Sequence, residues 1–220
     1  MTHQQLTLDL PHRPAVGRSD FLVADCNADA VAWLDRWPDW PGPALCLYGP
    51  PACGKSHLLD IWRARSGAVL VRGLDLDAAD IPALAASRTV ALDEADQLGD
   101  ETALLHLYNM LHEAGGSMLL AARQPPGRWP LNLADLRSRL SAAPAVGVAA
   151  PDDVLLTALL GKLFADRQVV VNEEVVGYLV RRMERSFDAA ARLVARIDAA
   201  ALAGQQAVTI PLVRRILDAS

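Results

Sequence analysis

The sequence predicts an α/β fold, a five-stranded parallel sheet with helices on both faces, followed by a small all-helical lid. Three observations predict it. Short, fully apolar runs alternate with helical patterns between residues 44 and 149, as strands buried on both faces do. A glycine-containing turn, Gly49–Ser56, joins the first apolar run to the helix after it. Beyond Pro151 the apolar runs stop and only helical periodicity continues.

Residues 1–19 alternate at Leu6, Leu8 and Leu10 and then carry Pro11, Pro14 and Gly17, a flexible tail with one extended apolar segment. Asn27 is placed to cap a helix over Ala28–Trp37, in which Val31, Leu34 and Trp37 share a face. Pro38, Pro41, Gly42 and Pro43 form a turn before the strand Ala44–Tyr48. A helix from about Lys55 to Arg65 follows the glycine turn. Ala68–Arg72 and Thr89–Leu92 read as the next two strands, and Glu101–Ala114 as a helix with Leu104, Leu105, Tyr108 and Leu111 on one face. Ser117–Ala122 is the fourth strand, Leu133–Leu140 a short helix and Ala145–Ala149 the fifth strand. Four helices then fall near Asp152–Arg167, Asn172–Arg185, Phe187–Ala203 and Thr209–Ala219, with Asn172 and Thr209 as N-caps and Gly204 as a stop. The expected domains are the tail (1–19), a nucleotide-binding core (20–150) and the helical lid (151–220).

Composition narrows the function classes. The net charge of −5 over 220 residues disfavours a free-standing DNA binder. The charge is uneven: residues 1–122 carry −8 and residues 123–220 carry +3, mostly as arginine, which suits bidentate contact with phosphate or carboxylate. No apolar run has the length of a membrane span, and no signal peptide is apparent, so the expected location is cytoplasmic. The three cysteines (Cys26, Cys46 and Cys53) lack metal-ligand spacing, and the five histidines do not cluster.

The chemistry begins at Gly49-Pro50-Pro51-Ala52-Cys53-Gly54-Lys55-Ser56, a full match to the P-loop pattern between a hydrophobic strand and a helix. Its glycines allow backbone N–H groups to turn inward around phosphate oxygens. Lys55 is expected on the outer phosphates of ADP or ATP and the Ser56 hydroxyl on Mg²⁺, with His57 directly after the loop. Cys53 reads as a small residue suited to the tight turn. The second half of the site is Val90-Ala91-Leu92-Asp93-Glu94, 38 residues past the lysine. Asp93 is the candidate Mg²⁺ partner, and Glu94 the candidate base for an attacking water.

A P-loop, an Asp-Glu strand end and a helical lid together resemble the AAA+ ATPases. The resemblance narrows to their DnaA branch over about residues 20 to 218. Asp20-Phe21-Leu22-Val23 and Asn27 are similar to its entry motif, which implies an adenine pocket at Phe21, Leu22 and Asn27. Leu119–Pro126 resembles the sensor 1 strand with its proline pair. Leu136-Arg137-Ser138-Arg139-Leu140 resembles the box VII segment, making Arg139 the candidate arginine finger. Met183–Phe187 resembles the sensor 2 segment, with Arg185 as the residue expected to reach the phosphates. Sensor 1 departs from the pattern: Ala121-Ala122 stand where many AAA+ enzymes place a polar side chain, leaving Arg123 or Gln124 as substitutes if the register slips.

Gln5-Leu6-Thr7-Leu8-Asp9-Leu10 looks like the hexapeptide that docks on the bacterial sliding clamp. Its glutamine, leucines and Asp9 are therefore the expected partner-binding residues for the DNA polymerase III β subunit. The sequence ends at Ser220 with no residues left for a helix-turn-helix domain. These features are similar to the Hda family, whose members work with the DNA-loaded clamp to stimulate ATP hydrolysis by DnaA. The resemblance implies partnership with DnaA, self-association, weak intrinsic ATPase activity and location at the nucleoid through the clamp. Three other readings stand beside it: a DnaC-type helicase loader, a clamp-loader subunit, and a non-catalytic adaptor that uses nucleotide only to fold.

Overall fold

The computed structural model describes residues 23–218, apart from the side chain of Asp188. These residues fall into two compact units that part between Ala150 and Pro151.

The first unit opens with helix α1 (Ala28–Asp35). It ends two residues before the expected Trp37, because the residue preceding Pro38 is driven out of the helical region. Five strands follow: β1 (Ala44–Tyr48), β2 (Val69–Arg72), β3 (Thr89–Asp93), β4 (Ser117–Ala122) and β5 (Ala145–Gly147). They form one all-parallel sheet in the order β2-β3-β4-β1-β5. Helices α2 (Lys55–Ser66), α3 (Ile81–Ala86), α4 (Glu101–Ala114) and α5 (Ala134–Ala142) lie in the connections. Helix α3 has no counterpart among the expected elements. Its six residues include a proline in the first turn and are too few to display a period. Strand β5 stops two residues early because Ala149 donates its N–H to the Cys26 carbonyl outside the sheet.

Alternation within the strands divides the core into two layers. Ala44 and Cys46 of β1, Val90 and Leu92 of β3, and Met118, Leu120 and Ala122 of β4 pack with α3, α4 and α5. Leu45, Leu47, Ala91, Leu119 and Ala121 face the opposite way, toward α1 and α2. Because both faces are covered, the strands read in sequence as unbroken apolar runs. The second layer contains a tryptophan cluster. Trp62 of α2, fully buried, stacks on Trp40 with ring centroids 5.6 Å apart and meets Trp37 edge-on at 5.9 Å. Trp33 joins it through its carbonyl, which accepts the Trp40 indole N–H at 2.8 Å.

The second unit holds α6 (Asp153–Asp166), α7 (Glu173–Val180), α8 (Phe187–Ala203) and α9 (Ile210–Asp218) around Leu156, Leu160, Phe164, Leu179, Val194 and Ile197. Side-chain caps start three of them: Asp152 accepts from Leu155 N–H, Asn172 from Val175 N–H and Ser186 from Ala189 N–H. Each such cap contributes about 1 kcal/mol. The expected helix Asn172–Arg185 is corrected by the structure. It stops at Val180, and Ser186 turns back onto the Glu184 carbonyl to begin α8, so Arg185 lies in the connecting turn. No helix among the described residues is long and apolar enough to cross a membrane.

Candidate functional site

The site is built at the carboxyl ends of β1, β3 and β4, where open parallel sheets hold their ligands. Gly49 follows β1 so closely against the β5 side that a Cβ there would run into the Val148 carbonyl oxygen. Ala52 and Gly54 take left-handed backbone conformations (φ 58° and 105°), turning the loop between them back toward α2. No side chain caps α2, so its first N–H groups are left facing the loop. Those amides and the positive end of the helix dipole favour an anion.

Lys55 is buried in this loop. Its Nζ donates to the Gly49 and Pro50 carbonyls, at 2.8 Å each, and to Cys53 Sγ at 3.6 Å. A lysine aimed into its own loop needs no rotation of the fold to meet a phosphate. Cys53 is buried beneath the loop. Ser56 and His57 occupy the exposed first turn of α2.

Asp93 and Glu94 are adjacent in sequence but engaged with different partners. Ser56 donates its hydroxyl to Asp93 Oδ2 at 2.8 Å, so the two residues expected on Mg²⁺ do meet. The other Asp93 oxygen accepts the Glu94 N–H. Glu94 has a left-handed backbone (φ 52°), and one of its carboxylate oxygens takes two hydrogen bonds from Arg72, at 2.8 and 3.1 Å. Pairing of β2 with β3 places Arg72 opposite Asp93 and so brings the guanidinium to this corner. Glu94 in turn pushes the Arg72 pKa further up. Arg72 is a site residue that sequence reasoning missed.

The cleft has a volume of about 190 Å³ and is lined by Pro51, Lys55, Ser56, Asp93, Glu94 and the end of β4. Ala121 and Ala122 are buried there, with Ala122 in register with Tyr48. Arg123, the first residue past β4, lines the cleft while its N–H donates to Asp96. Gln124 accepts from Arg128, and its carbonyl takes the Trp129 indole N–H. Of the two candidate substitutes, Arg123 and not Gln124 is among the residues that line the cleft. Asp96 and Gln97 also line the cleft and were not anticipated.

The remaining candidates lie elsewhere. Asn27 is buried, and its side-chain oxygen accepts from the Ala24 N–H instead of capping α1. Arg139 stands on α5 in an i,i+4 ion pair with Asp135 at 3.0 Å, its guanidinium 5.8 Å from the centre of the Tyr108 ring. Within the lid, Arg185 pairs with Asp153 at 2.7 Å. Phe21, Leu22 and the clamp-motif residues Gln5, Leu6, Leu8, Asp9 and Leu10 lie outside the described residues.

Comparison with known proteins now bears on this architecture. Residues 153–217 match the family model described as Hda, lid domain. An uncharacterized protein of Haemophilus influenzae is 26% identical over 196 residues, covering 82% of this chain and 84% of that protein. Domain III of the Thermotoga maritima replication initiation protein DnaA superposes with a TM-score of 0.77 at 17% identity, covering 96% of this chain and 98% of that one. AMPPCP-bound DnaA from Aquifex aeolicus gives a TM-score of 0.72 at 16% identity, covering 87% and 68%. The structural likenesses establish an AAA+ fold of the DnaA kind, and the lid match is specific to Hda. Residues 153–217 therefore carry a lid of the Hda type, in a chain whose fold is that of the AAA+ domain of DnaA.

Proposed function

We propose that this protein is a DnaA-related regulator of replication initiation, held in shape by bound nucleotide, which promotes ATP hydrolysis in DnaA more than in itself. One observation carries the reading. Of the two adjacent carboxylates, Asp93 is arranged with Ser56 for binding, while Glu94 is engaged by Arg72. The cleft is thus equipped to hold a nucleotide and poorly equipped to hydrolyse it.

ADP or ATP fits the chemistry of the loop: a buried lysine, a helix start with no side-chain cap and a serine–aspartate pair. Ser56 and Asp93 would be the residues that hold Mg²⁺. When bound, the ion neutralises phosphate charge. The AMPPCP held by the Aquifex protein supports the same ligand class here. By the family resemblance, Phe21, Leu22 and Asn27 would contribute to an adenine pocket. Arg185, paired with Asp153 within the lid, is the residue proposed to read the phosphates.

Arg139 would then act in DnaA's site, stabilising charge on the transferring phosphoryl group. Its exposed pair with Asp135 is worth about 0.3–0.5 kcal/mol, too little to oppose capture by a triphosphate. Gln5–Leu10 would dock on the sliding clamp, keeping the protein on replicated DNA in the bacterial cytoplasm. A finger supplied in trans is worth roughly 10³–10⁵ in rate.

The test is DnaA-bound ATP hydrolysis with clamp-loaded DNA and this protein, wild type against Arg139→Ala. Loss of stimulation is expected, with nucleotide-induced thermal stabilisation retained. Undiminished stimulation by the variant would overturn the assignment. Capture of the replicative helicase instead of the clamp would favour a loader.

A further inference from the structure

Helix α5 begins without a cap of its own. Leu133 occupies its N-cap position and has no side chain able to bond the open N–H groups. The missing acceptor comes from α4. The Glu101 carboxylate receives the Asn132 N–H at 2.9 and 3.0 Å, the Asn132 side-chain amide at 3.0 Å and the Leu133 N–H at 2.8 Å. Those backbone bonds, joined by the charge of Arg137, hold the Glu101 pKa below its ordinary value. Glu101 is itself fixed in the first turn of α4, where Asp100 caps the helix through the Thr102 and Ala103 N–H groups.

A second contact lies seven residues along the same helix. Tyr108, half-buried against the core, presents its ring to the Arg139 guanidinium at 5.8 Å. Seven residues span about 10 Å of helix, and so do the six or seven from Asn132 and Leu133 to Arg139. The two helices therefore meet at matched intervals, one contact at the start of α5 and the other beneath Arg139. Leu136, between these contacts, and Leu140, just past the second, are fully buried, which fixes the rotation of α5 about its axis.

We infer that Glu101 is a positioning residue for Arg139, setting where α5 starts, with the Tyr108 ring restraining the guanidinium at the other end. This rests on the reading of Arg139 as a finger. Charge-assisted bonds are the strong kind, and three N–H donors, two of them main-chain, converge on one carboxylate. Removing them frees the start of α5 without touching the nucleotide loop.

The experiment uses the full chain with DnaA and DNA-loaded clamp, titrated to separate the maximal hydrolysis rate from the half-saturating concentration. Glu101→Ala is expected to lower the maximal rate about tenfold while half-saturation stays within about twofold, a loss of about 1.4 kcal/mol in transition-state stabilisation. Glu101→Gln retains one acceptor oxygen and should recover part of the rate. Tyr108→Phe, which keeps the ring, should match wild type, and Tyr108→Ala should fall between. Hydrogen exchange at the Asn132 and Leu133 amides should accelerate in Glu101→Ala. A full maximal rate in Glu101→Ala, where Arg139→Ala is inactive, would overturn the inference. If Arg139→Ala is itself fully active, the finger reading fails, and the link from Glu101 to catalysis fails with it. In that case faster exchange at 132 and 133 shows that only the finger was misassigned, and unchanged exchange removes the tether as well.

Discussion

The two walls of the nucleotide cleft are made differently. On the loop side, Gly49 is pressed against the Val148 carbonyl, Lys55 is buried and Ser56 is hydrogen-bonded to Asp93. On the opposite side, β4 ends in two buried alanines, and Glu94 is paired with Arg72 in an exposed ion pair. The first wall depends on close packing and has little freedom. The second depends on a surface contact worth about 0–1 kcal/mol. On the proposed reading, holding a nucleotide and hydrolysing it are separate properties of one cleft.

The largest effect should come from Lys55→Ala on the loop wall. Loss of about 100-fold or more in ADP affinity is expected, roughly 2.7 kcal/mol, read by calorimetry and by disappearance of nucleotide-induced thermal stabilisation. Retained affinity would mean that the loop amides alone bind the phosphates. Gly49→Ala should come next. Its added Cβ must displace the Val148 backbone, and destabilisation of about 1–3 kcal/mol should appear in the denaturant midpoint without ligand. An unchanged midpoint would show that this wall is softer than its packing suggests.

Arg72→Ala should have the smallest effect. Freeing Glu94 recovers at most about 1 kcal/mol, so intrinsic ATP hydrolysis should rise no more than about fivefold, with nucleotide affinity unaltered. Adding Glu94→Gln should cancel the gain. No rise at all would move the deficit to Ala121 and Ala122. ADP should also stabilise the wild-type protein at least as much as ATP does, since little in the second wall distinguishes the γ-phosphate.

How much of this was legible in the sequence follows from how local each feature is. The loop wall is one contiguous segment, and its residue types, spacing and flanking strand and helix together specify it. Asp93 was legible only through its spacing: a strand-end Asp-Glu alone says little, but 38 residues past the P-loop lysine it marks the second half of the site. Arg72 was not legible. At the end of an edge strand, an arginine reads as a solvated charge, and only the order β2-β3 brings it to Glu94. Glu101 was hidden for the same reason, since its partners are 31 and 32 residues away. The overextended helix to Arg185 has another cause. Arg181, Arg182 and Met183 all favour helix, and the turn is imposed by the cap at Ser186 rather than by any helix-breaking residue before it.

The tryptophans of the second core layer have a practical consequence. Four of the five indoles in the chain, Trp33, Trp37, Trp40 and Trp62, lie in one cluster, and Trp62 sits on the helix that starts at Lys55. Rings stacked and edge-on at under 6 Å share their excitation, so near-ultraviolet circular dichroism and emission are dominated by this one place. The molecule therefore carries its own optical gauge of the layer that packs on α2, readable without a label.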